Sequence, residues 1–173
     1  MSAWRHLRAI GLLPFVATAV VPGFLVWRGD VRVGWGLPDG LAVLPALVGV
    51  SLVGVGLALF VRTVSLFVTV GRGTLAPWDP TSRLVVRGPY RHVRNPMISG
   101  VLFVLLGEAA VLGSPALLIW AAVFLAVNAI YMPLVEEPAL KRRFGEDYES
   151  YAASVPRWLP RLTPWDPVPG GRG

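Results

Sequence analysis

Residues 97–135 read MISGVLFVLLGEAAVLGSPALLIWAAVFLAVNAIYMPLV. The stretch contains two apolar runs, Met97 to Leu112 and Pro115 to Val135, parted only by the turn Gly113-Ser114-Pro115. A helix needs ~20 mostly apolar residues to cross the hydrocarbon of a bilayer, within a usable range of about 17–25. The second run meets that length and the first is marginal. So short a turn makes the two runs antiparallel neighbours, a helical hairpin. The hairpin has polar ends. Arg87-Gly88-Pro89-Tyr90-Arg91-His92-Val93-Arg94-Asn95-Pro96 leads in, and Glu136-Glu137-Pro138 leads out. Closing the hairpin sets an arginine-rich helix start beside two carboxylates.

Two further apolar runs lie upstream, Ile10 to Trp27 and Leu41 to Val61. Thr63 to Val70 is again apolar, so the second run either continues as a longer tilted helix or ends in an interfacial extension. Hydrophobic residues make up 54% of the chain and charged residues only 15%, with mean hydropathy +0.61. That balance is too apolar for a soluble domain of this size, and the charges are segregated into connections. The expected fold is therefore all-α. It is an integral membrane helical bundle of about four transmembrane helices plus a C-terminal amphipathic helix. Residues 1–173 form a single domain: N-terminal spans in 1–70, a functional core in 71–160, and a flexible tail in 161–173. A cleaved signal peptide competes for the first run, with Arg5 and Arg8 as its basic start and Ala17-Thr18-Ala19 as its cleavage site. The apolar run continues through Val26, which suits a retained helix better.

Arginine and lysine set the orientation. Arg5 and Arg8 precede the first run. Arg62, Arg72, Arg83, Arg87, Arg91 and Arg94 lie between the second and third, and Lys141, Arg142, Arg143, Arg157, Arg161 and Arg172 follow the fourth. Only Arg28 and Arg32 fall in the connection between the first two runs. Four spans put every basic-rich segment on one side, with both termini cytoplasmic. The same segregation explains the net charge of +6 without nucleic acid, for which no motif is present. There is no cysteine, and the two histidines, His6 and His92, are far apart. Thiol chemistry is excluded and no metal site is expected. Glu108 is the one formal charge well inside a span. It is expected to snorkel to the outer interface or to make a structural hydrogen bond.

The cytoplasmic segments carry the candidate chemistry. Gly71 to Asp79 reads as a loop, Ser82 to Val86 as a short extended piece, and Gly88-Pro89 as a turn. Asn95 is a favoured N-cap and Pro96 a favoured first helical residue. The third helix then starts at Pro96 with its amide groups and positive dipole end open to an anion, reinforced by Arg91 and Arg94. After Glu136 and Glu137, Pro138 starts a new helix in which Leu140, Phe144, Tyr148, Tyr151 and Val155 form one apolar stripe. Gly145 lies inside that pattern. Pro156 ends the helix, and Trp158, Leu159 and Trp165 read as interfacial anchors. Each feature has a plain structural explanation as a cap or lipid contact. Together they suit a zwitterionic small molecule, with a basic helix start for its carboxylate and an acid for its ammonium or hydroxyl groups.

The same residues resemble a known group. Gly88 to Pro96, a hairpin, Glu136-Glu137-Pro138-Ala139-Leu140 with Phe144-Gly145 and Tyr148, and then Val155-Pro156-Arg157-Trp158 are similar in order and spacing to the isoprenylcysteine carboxyl methyltransferases and phospholipid methyltransferases. These are integral membrane enzymes that use S-adenosylmethionine. The resemblance covers about Leu75 to Pro160. It implies that Ser82, Arg83, Leu84, Val85 and Tyr90 line a cofactor pocket. Asn95, Pro96, Met97 and Ile98 would hold the cofactor at the helix start, and Glu136 would contact its amino group or ribose. The chain departs from the pattern at Met132, where the carboxyl methyltransferases carry a substrate-binding arginine. The acceptor is then an amine or lipid headgroup as readily as a prenylcysteine carboxylate, and Arg94 or Arg91 is the available replacement cation. The expected function is S-adenosylmethionine-dependent methylation of a lipophilic acceptor, with Arg94 and with Glu137 or Tyr90 orienting or deprotonating it. The alternative is a non-catalytic membrane protein on the same scaffold, binding lipid or a partner. A transporter fits less well, because the spans hold almost no polar residues to line a path.

Overall fold

The computed structural model describes residues 13–29, 31–71 and 84–166. Among them the regular structure is entirely helical. Helix α1 is Leu13–Arg28, α2 Val43–Gly71, α3 Pro96–Leu112 and α4 Pro115–Phe144. A short α5, Glu146–Ser154, follows. Helices α2 and α4, at 29 and 30 residues, are long and apolar enough to cross a membrane, while α1 and α3 are apolar but shorter. Only 11% of the apolar window of α2 or α4 is buried within the protein. Leu47, Val50 and Val61 on α2, and Ile119, Val127 and Ile130 on α4, all point outward. Helices with satisfied backbones and apolar outer surfaces suit lipid, not water.

The central element is α3. Its most extensive partner is α2, and the contact is made through glycines spaced two turns apart on each helix. A Cβ on Gly56 would lie 2.6 Å from the Gly100 carbonyl oxygen, and one on Gly107 2.6 Å from that of Gly49. Small residues at such positions let two backbones approach, the usual basis of helix association in lipid. On its other side α3 packs Val101 and Leu105 against Ala121 of α4, with Phe60, Trp120 and Phe124 around them. So α3 is covered by protein on two sides, and Pro96 at its start and left-handed Gly113 past its end set its length. The connection from α1 to α2 seals the hairpin turn. The Arg32 amide donates to Leu112 O at 3.1 Å and Trp35 Nε1 donates to Ala110 O at 3.0 Å. Gly113 there has φ 59° and its backbone abuts Arg32, a place where only glycine fits. Part of α1, Val16–Val20, is wound as a wider π turn, and Trp120 Nε1 donates to Ala17 O there at 2.9 Å.

Several expectations change. Of the two courses open to the second helix past Arg62, it takes the longer, running on to Gly71. The fourth does not end at Val135 with a new helix at Pro138. It continues to Phe144 through a π turn at Met132–Glu136, where the Glu137 amide donates to Met132 O. Pro133 and Pro138 each remove an amide donor, and the wider turn absorbs that loss without breaking the rod. The break comes later. Gly145, with φ 56° and ψ −130°, separates α4 from α5, so the expected single C-terminal helix is two pieces. This is a conformation that glycine reaches and other residues avoid. Asn95 occupies the N-cap position of α3 but makes no side-chain cap. For Glu108, Oε2 is buried with no hydrogen-bond partner among the described residues. The hydrogen bond expected there is not made by that oxygen.

Candidate functional site

The end of the bundle where α3 begins and α4 leaves its apolar stretch is built from three polar pieces. The first is the segment before α3. Gly88–Arg91 forms a 3-10 turn, with Gly88 at φ 56° setting the bend. It carries Tyr90, which is buried, inward, with its ring edge-on to Phe67 of α2 at 5.7 Å. The second is the π turn of α4, which ends at Glu136 and is followed by Glu137. The third is the segment after α5, which is strapped back onto the first. The Arg94 amide donates to Pro156 O at 2.9 Å, the Arg161 amide to His92 O at 3.0 Å, and the Trp165 amide to Arg91 O at 2.9 Å. Side chains add to this pairing. Arg91 Nε donates to Trp165 O at 3.0 Å and its guanidinium meets Asp166. The Tyr151 hydroxyl donates to Tyr90 O at 2.8 Å.

Glu137 is the hub. Arg157 grips it with both arms, Nε to Oε1 at 2.6 Å and NH2 to Oε2 at 2.8 Å, and Arg94 NH1 reaches Oε1 at 3.1 Å. This is a forked, charge-assisted contact. The hydrogen bonds from Arg157, opposed by burial and helped by the charge of Arg94, hold the Glu137 carboxyl below the usual carboxylate range. Its side chain is 19% exposed and that of Arg94 13%. Arg94 Nε is buried and has no hydrogen-bond partner among the described residues. Two guanidinium groups thus share this one carboxylate.

Glu136 behaves differently. It is half-buried, and no ion pair or hydrogen bond to it occurs among the described residues. Burial raises its pKa, because a desolvated carboxylate resists ionisation. It lies near enough to Tyr90 that its charge, after burial and Tyr151, pushes the Tyr90 phenol up. A half-buried acid and a buried arginine N–H, each without a partner among the described residues, thus stand at the same end of the bundle.

The expected site residues fall into three groups. Arg94, Asn95 and Glu137 come together as the hairpin geometry required. Asn95 Nδ2 donates to Arg157 O at 3.4 Å in place of capping α3, so the amides of Met97 and Ile98 have no side-chain cap. Pro96 is buried. Leu84 packs against Tyr148, Tyr151 and Val155, with Val85 buried beside it in sequence. Ser82 and Arg83, and the Gly71-Arg72-Gly73 loop past its first glycine, lie outside the described residues. Arg157, Tyr148 and Tyr151 were not expected as site residues. Both tyrosines read as stripe positions of an amphipathic helix. Arg157 sits behind Pro156 twenty residues from its partner, and only the motif Val155-Pro156-Arg157-Trp158 hinted at it. Met132, at the position where an arginine was looked for, is buried at the start of the π turn.

No curated protein and no solved structure matches the chain. The description of the phospholipid methyltransferase family matches residues 44–147. The match starts earlier than the motifs alone indicated and takes in almost all of α2, which had offered only hydrophobicity. It ends at Asp147, ahead of the strap. Because it spans α2, α3, α4 and the glutamate pair, more than half of its length, the chain belongs to the phospholipid methyltransferase family.

Proposed function

We propose that this protein is an S-adenosylmethionine-dependent membrane methyltransferase whose acceptor is a lipophilic amine or lipid headgroup. The family implies methyl transfer to lipid-related molecules. The observation that carries the finer reading is a pair of groups without a partner among the described residues, half-buried Glu136 and buried Arg94 Nε. S-adenosylmethionine bears an ammonium and a carboxylate on one amino-acid end, so the donor set fits it. Arg94 Nε and the uncapped amides of Met97 and Ile98 would take the carboxylate. Glu136 would take the ammonium or the ribose hydroxyls, and Tyr90, Leu84 and Val85 would form apolar walls. Ser82 and Arg83 belong to the same proposal on the family pattern alone.

When bound, the cofactor supplies an electrophilic methyl group for in-line displacement by an acceptor atom. What the chain contributes is alignment, the exclusion of water and a fixed field. Glu137, with both oxygens engaged by arginines, orients Arg94; its geometry supports that role over proton abstraction. Tyr90, kept neutral by burial, is a hydrogen-bond donor or a wall, not a base. Met132 puts a thioether where a carboxylate substrate would need a cation, which favours an amine nucleophile over a prenylcysteine carboxylate. Helices α1 and α3 complete a four-span bundle in lipid. The basic segments, the site and both termini face the cytoplasm. Incubation of purified protein with methyl-labelled S-adenosylmethionine and three acceptor pools tests this: extracted lipids, prenylcysteine analogues and small amines. Label is expected in the lipid or amine pool. Label confined to prenylcysteine would overturn the acceptor, and label in none would favour the non-catalytic scaffold.

A further inference from the structure

The segment after α5 carries two leucines that nothing in the protein covers. Leu159 is 80% exposed and Leu162 98%. They are not on a loose tail. Pro156, Pro160 and Pro164 stiffen the segment, Val155 at its start is buried, and the backbone is pinned through Pro156, Arg161 and Trp165 to residues 91–94. Trp165 packs against Tyr151 with ring centres 5.8 Å apart. A braced segment that turns its aromatic inward and its two leucines outward is holding them for something.

Its place on the molecule points to the occupant. Arg157, two residues before Leu159, is clamped to Glu137. That glutamate lies two residues beyond Val135, which with Leu134 belongs to the exposed apolar residues of α4. The segment is thus tied to α4 just past the outward apolar residues of that helix. The one charged residue between them is basic. Arg161 lies between the leucines, with its guanidinium exposed and bonded to Ser154 O at 2.9 Å, and Arg87 and Arg142 are exposed on the neighbouring elements.

We propose that residues 158–164 form a lipid-docking clasp, with Leu159 and Leu162 entering an anionic leaflet next to the start of α3. Apolar insertion supplies the affinity and arginines beside acidic headgroups set the preference. The same segment holds Glu137 through Arg157, so seating the clasp in lipid keeps the strap closed over the site.

The chain has no cysteine, so Leu162→Cys gives a unique attachment point for a spin label, with Ser150→Cys on exposed α5 as the water-facing reference. The full-length protein is reconstituted in phosphatidylcholine vesicles, and in the same lipid doped with phosphatidylglycerol. Collision rates with oxygen and with a water-soluble nickel chelate are then measured. The label at position 162 is expected to be several-fold less accessible to nickel than the label at 150, and more shielded in the doped vesicles. Equal nickel access at the two positions would overturn the proposal and point to a soluble partner for the leucines. Equal shielding in both lipids would overturn its charge preference. Leu159→Cys repeats the measurement in case the first variant misfolds. No part of this test uses S-adenosylmethionine, so its outcome is separate from that of the proposed activity.

Discussion

Glu136 and Glu137 are adjacent in sequence and opposite in role. Glu137 is bound by two arginines, and removing it strands two guanidinium groups, one of them largely buried. Glu137→Ala is expected to cost on the order of 2–4 kcal/mol of stability, read as a lower Tm in detergent. Glu136 has no partner among the described residues and a pKa raised by burial. Glu136→Gln removes an unpaired desolvated charge and is expected to leave Tm unchanged or slightly higher at neutral pH while weakening cofactor binding. A fall in Tm as large as that of Glu137→Ala would show that Glu136 is structural.

The pH dependence has a defined sign. The Glu137 carboxyl is held below its ordinary value in the folded state. Its contribution is therefore fully present above about pH 4.3, the unfolded value, and fades as pH falls through the lowered folded value. Thermal unfolding of wild type should lose stability on acidification through that range, and Glu137→Gln should show less of the loss. Identical acid profiles would remove Glu137 from the account. The acidic pair and its neighbour Arg94 were legible from the sequence, because hairpin length and parity bring them to one end. Arg157 was not, because its approach depends on a non-helical strap whose path no periodicity encodes.

At the scale of elements, the α2·α3 contact makes the sharpest prediction. Gly107 meets the Gly49 carbonyl oxygen, whereas a Cβ on Gly54 would meet nothing within 4 Å. Gly107→Ala should destabilise by about 1–3 kcal/mol, since two backbones cannot easily separate. Gly54→Ala should be neutral, or gain up to ~1 kcal/mol from helix propensity. Comparable Tm values for the two variants would contradict the packing. The apolar runs announced α2, α3 and α4 because their length and uniform hydrophobicity admit few other structures. The ends of these helices were less legible. Pro138 signals a helix start, yet a π turn carries α4 through it. Gly145 reads as a weak helix residue, yet its backbone conformation ends the helix. Local residue preferences could not choose between these outcomes, because the choice depends on holding Glu137 against Arg94 and packing Tyr148 near Leu84.

At the scale of the molecule, the account requires the site end and the α1–α2 connection to lie on opposite sides of the membrane. Gly40→Cys, where a side chain has open space, and Ser150→Cys should react with an impermeant maleimide from opposite faces of oriented vesicles. Labelling of both from one face would overturn the four-span arrangement. Calorimetric titration of S-adenosylmethionine into the purified protein in detergent, alongside Glu136→Ala, decides whether Glu136 belongs to a cofactor site. The account predicts saturable one-site binding by the wild type. It predicts binding weakened at least tenfold, a loss of about 1.4 kcal/mol or more, in a variant whose Tm is preserved. No binding by the wild type, or equal affinity in the two proteins, would contradict it.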